Sequence, residues 1–421
     1  MNQRLLIASL SALKLLTIAT CQVLFIASIP VNVSVNIYFS SIGLTSAIYV
    51  ILNQPFDLIF APKIKSALAE PNSPNALANI IKLKIQALLF IFFVCTLSIV
   101  PCYFIAKICN ILELSSWLLF ITLGLVTSML TTLNSQLLLL LRLKQRIAFA
   151  SLVNSLMAIV TSALSLAMAF LGGIQAYAIS YITLTFLFTI ILFSEEPQAF
   201  PSINYKINSR IFKIYYSYFR LTILTKSVGL SENLSISLFC LNSATYYFMA
   251  KKAIASLLTI LNEGYCQYVT VSVLNNLARH RYAKAQFSIS RLRRKSISIT
   301  LLYFIVFSLI YMLSSSFLGL ISIKWFEPDV NNLLKTSAFC LAFTAYFCSN
   351  ITGPTLSESV YALGMVDQIK NFISFTSISF AIMLLIGGWA FGVNAIIVLV
   401  SVVYIVNNFY FSKVVFGWKT V

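Results

Sequence analysis

The chain has 421 residues, of which 59% are hydrophobic and only 10% charged, with a mean hydropathy of +0.92. A water-soluble domain carries more polar surface than this, which excludes soluble enzymes and soluble binding modules as a class. The formal charge of +18 would suit a nucleic-acid partner, but its placement along the chain ties it to membrane topology, and no nucleic-acid binding is expected.

Apolar runs of about 20 residues recur from end to end, each able to cross a hydrocarbon core of about 30 Å. They place twelve spans at residues 5–29, 36–60, 87–106, 115–139, 147–171, 176–193, 219–241, 250–271, 296–321, 334–351, 372–390 and 393–411. The first leads straight into the second with no small-residue cleavage site, so it reads as a span and not as a removable signal peptide. It carries Lys14, with Ser11 and Cys21 nearby on the same side. The second carries Asn53, Gln54 and Asp57 around Pro55, which is expected to kink it.

Alternate loops differ sharply in charge. One set holds Lys63, Lys65, Lys82 and Lys84, then Arg142, Lys144 and Arg146, then Lys206, Arg210 and Lys213, then seven basic residues from Arg279 to Lys295. The opposite set holds only Lys107, Lys324 and Lys335. The excess of Lys and Arg on the cytoplasmic side of membrane proteins predicts that the basic loops and both termini are cytoplasmic. The longest loops are then expected at 61–86, 194–218 and 272–295, with a short outer loop near 324–332. Glu195-Glu196 is the only adjacent acidic pair and reads as part of a solvated loop.

The fifth and sixth spans meet at Gly173-Ile174-Gln175-Ala176, and the eleventh and twelfth at Gly392-Val393-Asn394-Ala395. Glycine permits the tight turn between two helices, and alanine lets the second helix start close to its neighbour. The same joint at the same place in two six-helix halves points to a parallel repeat, a common transporter plan with the substrate path between the halves.

The seventh span contains TILTKSVGLSENLSISLF. At about 100° per residue, Thr222, Lys226, Gly229, Asn233 and Ser237 fall within about 80° of one another, with Glu232 on the flank. The eighth span repeats this with Lys252, Ser256, Thr259, Glu263 and Gln267, flanked by Lys251. A central Lys or Asp costs on the order of 3 kcal/mol to insert. It is retained where it faces water, a partner charge or a polar substrate. Three readings are open. The charges pair internally for assembly, for example Lys226 with Glu232 or Glu263. The helix ends are misplaced and the groups sit at the interface. Or the first, second, seventh and eighth spans line a hydrated cavity. Such a cavity is cationic on balance, Lys14, Lys226, Lys251 and Lys252 against Asp57, Glu232 and Glu263, and suits an anionic substrate.

The cysteines form no CxxC and read as small apolar helix residues. His280 is the single histidine. No metal site, cofactor or catalytic triad is expected.

The run NSATYYFMAKKAIASLLTILNEG (242–264) resembles the opening of the eighth helix of bacterial polysaccharide (O-antigen) flippases, with Tyr246, Tyr247, Ala250, Lys251 and Lys252 in the matching places. The joints at Gly173 and Gly392 and the twelve-span layout resemble that family too. It belongs to the multidrug/oligosaccharidyl-lipid/polysaccharide exporter superfamily. The resemblance implies an all-α, V-shaped molecule of two six-helix lobes, here 1–200 and 201–421, around a central cavity. It implies alternating access that moves an undecaprenyl-diphosphate-linked oligosaccharide from the cytoplasmic to the periplasmic leaflet of the bacterial inner membrane. It also implies a polysaccharide polymerase and chain-length machinery as partners. Lys14, Lys226, Lys251 and Lys252 match, by helix, the cavity cations that hold the diphosphate. Asp57, Glu232 and Glu263 are expected to serve ion pairing or coupling. The second helix, ILNQPFDLIFAPKI, departs from relatives that carry an aspartate-glycine pair and a more basic end, which leaves the equivalence of Asp57 open. The rivals are a cation-coupled small-molecule exporter, which wants an acidic cavity, and an O-antigen polymerase, which wants a large outer loop. The outer loops here are short, so an enzyme is not expected.

Overall fold

The computed structural model describes residues 3–68, 73–108, 112–144, 146–199, 209–261, 266–316, 330–363 and 366–417. Among them the regular structure is helical throughout, with no strand. The helices are α1 (Gln3–Ser28), α2 (Val33–Leu68), α3 (Ser73–Ile108), α4 (Leu112–Leu143), α5 (Ile147–Glu195), α6 (Ser209–Phe239), α7 (Ala244–Leu261), α8 (Gln267–Ala278), α9 (Tyr282–Ser316), α10 (Val330–Ala342), α11 (Thr344–Ala362), α12 (Val366–Phe391) and α13 (Val393–Gly417).

Seven of these are long and apolar enough to cross a membrane by length and composition alone, and the protein is an all-α, polytopic membrane protein. The helix list reduces to the twelve expected crossings for physical reasons. A straight α5 would be about 74 Å long at 1.5 Å per residue. Its two ends are instead joined by an ion pair, Arg146 to Glu195 at 2.8 Å, so it folds back on itself. The fold-back lies at Gly172 and Gly173, and Gly173 has φ +68°, a left-handed conformation that penalises any residue with a Cβ. Gly392, between α12 and α13, has φ +72°. The two joints matched in the sequence thus share a positive φ of similar size. In the other direction, α10 and α11 are one interrupted crossing. The Phe343 N–H bonds the Phe339 carbonyl at 3.1 Å, and the Phe347 N–H bonds the Phe343 carbonyl at 2.9 Å. The helical ladder therefore runs through the break. The pair α7 and α8 covers the expected eighth span, with 262–265 outside the described residues.

The expected basic loops are mostly helix. The loop placed at 61–86 is occupied by the end of α2 and the start of α3, leaving 69–72 between them. The loop placed at 272–295 is the end of α8, a tight turn and the first turns of α9. Hydropathy marks where a helix leaves hydrocarbon, and these helices continue past that point. The turn ends α8 by a reciprocal pair of bonds, Arg281 N–H to Asn276 O at 2.8 Å and His280 N–H to Leu277 O at 3.0 Å. His280 is left-handed at φ 55°, the usual conformation one residue past a helix C-terminus. The chain's single histidine is a helix terminator. The outer loop expected near 324–332 lies largely outside the described residues.

The chain forms two compact units, Met1–Phe25 with Val31–Lys226, and Ile26–Pro30 with Ser227–Val421. In the first, α4 packs on α2, α3 and α5 around Ile81, Ile85, Leu137, Leu141 and Leu192, all fully buried. In the second, α11 and α13 pack together, with α9 on α8, α10 and α11. Its core holds Tyr247, Ile254, Phe343, Phe347, Leu384 and Val400.

Candidate functional site

The site builds from a spacing on α7. Tyr247 and Lys251 are four residues apart, so they stand one above the other on one helical face. Both reach the same oxygen of Glu232 on α6. The Tyr247 hydroxyl donates to Glu232 Oε1 at 2.5 Å, and the Lys251 ammonium donates to that same atom in an ion pair. Glu232 is 3% exposed and Tyr247 is fully buried. The Lys251 side chain retains 24% of its exposure, so the pair has a dry carboxylate end and a partly open ammonium end.

Aromatic rings complete the surroundings. The Lys251 ammonium lies 5.8 Å from the centre of the Tyr247 ring and 5.6 Å from that of Tyr346 on α11. Both are within cation–π range. Tyr346 packs edge-on against Tyr404 of α13 at 4.9 Å. Phe343 supports Tyr247 edge-on at 5.2 Å. α6 is held in register by Ser235, whose hydroxyl donates to the Leu384 carbonyl of α12 at 2.9 Å. A Cβ at Gly388 would meet the Ser235 Cβ at 3.0 Å, so the close approach of α12 depends on that glycine.

Burying an ionised carboxylate costs several kcal/mol unless its lone pairs are satisfied and an opposite charge is adjacent. Glu232 has both a charge-assisted donor and a hydroxyl. This arrangement holds one anion with one cation, and the cation's side chain is the more open of the two. A competing anion able to attract Lys251 would leave Glu232 buried beside Tyr247 alone.

The expected site residues separate. The pairing of Glu232 with Lys226 does not form, because Glu232 is taken by Lys251. Lys226 lies six residues earlier on α6, about 240° round the helix, and is exposed. Lys252 is exposed as well. Lys14 is half-buried on α1. The Asp57 side chain and the whole of Glu263 lie outside the described residues. The polar stripe on α6 bonds largely to its own helix. Thr222 donates to the Tyr218 carbonyl at 2.9 Å, Asn233 to Gly229 at 2.6 Å and Ser237 to Asn233 at 2.7 Å.

Sequence reasoning missed two features of the first unit. Lys84, assigned to a loop, lies three turns inside α3, where it is 3% exposed and donates to Gln136 Oε1 at 2.9 Å. Glu196, assigned to a solvated loop, is 3% exposed and paired with Lys144 at 2.6 Å. Together with Arg146–Glu195 it fastens the two ends of the folded-back α5. The available signal was the charge order, two basic residues just before the hairpin and two acids at its end.

The sequence matches no protein-family model and no curated protein. Solved structures do match. The lipid II flippase MurJ, in an inward closed conformation, superposes with a TM-score of 0.65 at 14% identity, covering 99% of this chain and 87% of that one. An inward-facing multidrug resistance MATE family transporter of the MOP superfamily gives a TM-score of 0.63 at 12% identity, covering 96% of this chain and 99% of that one. The chain has their fold. The likeness runs over nearly the whole length of this chain.

Proposed function

We propose that the protein is a flippase that moves an undecaprenyl-diphosphate-linked oligosaccharide from the cytoplasmic to the periplasmic leaflet by alternating access. In this reading it supplies repeat units for O-antigen or capsular polysaccharide. It works in the bacterial inner membrane with both termini cytoplasmic, as a transporter and not an enzyme. The observation that carries the reading is the buried Glu232 whose charge is balanced by a partly open Lys251. A diphosphate is a strong competitor for an ammonium group. When the substrate takes Lys251, Glu232 loses the charge that balances it, which links binding to a change of state. Lys14, Lys226 and Lys252 are the further diphosphate ligands in this proposal, and Asp57 and Glu263 are further coupling acids. A polysaccharide polymerase and its chain-length machinery would take up the product.

A second reading, a cation-coupled exporter of small molecules, has one observation in its favour, the equally extensive likeness to a MATE transporter fold. The surplus of lysine over carboxylate among the candidate residues favours an anionic cargo over a cationic drug. Deletion of the gene in its host separates the two. The flippase reading expects lipid-linked oligosaccharide to accumulate and surface polysaccharide to disappear. Intact surface polysaccharide together with drug sensitivity would overturn it.

A further inference from the structure

We propose that the outer face of the first turns of α9 is a binding surface for the phosphate headgroups of anionic phospholipids. Lys284, Arg291, Arg294 and Lys295 are all exposed. At about 100° per residue they fall, with Phe287, within about 100° of one another. Leu302, Ile305 and Leu309 continue the same arc, and they are 62%, 53% and 53% exposed. In a membrane protein such a face is the lipid-facing one. The cations thus sit immediately beyond the apolar stretch of one continuous helical face, at the level where headgroups begin.

The opposite face is committed to the protein. Ala285, Ile289, Leu292 and Ser296 are buried. Arg293, the one cation on that side, donates to Ser412 Oγ at 2.6 Å and lies 5.9 Å from the Phe416 ring centre on α13. Topology alone needs positive charge somewhere near this end of the helix. It does not require four cations on one arc. From 264 to 326 the sequence contains no Asp or Glu, so the charge along this stretch is of one sign. Phe287 is 71% exposed, about one turn further from the apolar stretch than Arg291. An exposed aromatic beside basic residues suits a lipid surface and not a nucleic acid or free phosphate, since it can enter the headgroup layer. Lysine and arginine near an anionic leaflet each add attraction that salt screens.

The test uses the full-length protein purified in detergent. It is offered equal amounts of phosphatidylglycerol and phosphatidylethanolamine, and retained lipid is counted by native mass spectrometry. The wild type is expected to retain phosphatidylglycerol selectively. The quadruple variant Lys284→Gln, Arg291→Gln, Arg294→Gln, Lys295→Gln is expected to lose that selectivity by at least about tenfold. The control Lys107→Gln is expected to keep it. If the quadruple variant does not fold, Arg291→Gln with Arg294→Gln serves, with a smaller loss in the same direction. Equal retention of the two lipids by the wild type, or unchanged selectivity in a folded variant, overturns the proposal. So does displacement of phosphatidylglycerol by millimolar inorganic phosphate alone.

Discussion

Removing Lys251 tests whether Glu232 is held charged by that lysine. Glu232 is 3% exposed, and apart from the ammonium its described partner is the Tyr247 hydroxyl. Breaking a buried pair from one side costs about 3–5 kcal/mol, because the partner charge stays behind. The Lys251 side chain keeps 24% of its exposure, so solvent screens part of the interaction and the low end, about 3 kcal/mol, applies. For a domain of roughly 200 residues this lowers a melting midpoint by about 6–12 °C. Lys251→Met with Glu232→Gln removes both charges, keeps the volumes close and leaves an amide that can still accept from Tyr247. The double variant should therefore recover to within about 1 kcal/mol of wild type. Thermal unfolding of the detergent-purified wild type, both single variants and the double variant gives the coupling directly. A Lys251→Met protein that melts with the wild type would refute the reasoning. So would a double variant as unstable as Lys251→Met.

Tyr247→Phe removes a hydroxyl donor from a buried carboxylate and should lower stability by about 1–3 kcal/mol in the same melting assay. Gly392→Val and Gly173→Val force a β-branched residue into the left-handed region and should sharply reduce the yield of folded protein. Asparagine and alanine at Gly173 should fail as well, because its ψ of −160° puts it in a region essentially reserved for glycine, as read by size-exclusion profiles. Glu196→Gln strips the buried end of the α5 clasp and should destabilise the protein measurably. Glu195→Gln touches a pair that is 43% and 36% exposed and should change stability by less than about 1 kcal/mol.

The crossings were legible because hydrocarbon thickness sets a length that hydropathy reports directly. The joints at Gly173 and Gly392 were legible because a positive φ selects a residue type. The pairings were not. Helical periodicity centred the stripe of α7 on Lys252 and left Lys251 at its flank, whereas the structure buries the Tyr247–Lys251 face. Periodicity shows which residues share a face, but not which face meets a neighbour. That choice is made by the preceding helix α6 together with α11 and α13, which are distant in sequence. Glu196 and Lys84 escaped for the same reason, since their burial depends on contacts formed by other helices. The basic segments were taken as loops because charge ends a hydropathy window, although it does not end a helix.

The central claim is that lysines on this chain carry a diphosphate-linked lipid across the bilayer. The most direct measurement is transbilayer movement of a fluorescent undecaprenyl-diphosphate oligosaccharide in proteoliposomes containing the purified protein, compared with a neutral glycolipid of similar size. The account predicts that wild type moves the diphosphate lipid and not the neutral one. It also predicts that Lys226→Ala and Lys252→Ala slow the movement at least about tenfold, the effect of losing about 1.4 kcal/mol of interaction. Both variants should insert and melt normally, because neither lysine is among the buried residues of the core. Equal movement of the two lipids, or unimpaired movement in both alanine variants, would contradict it.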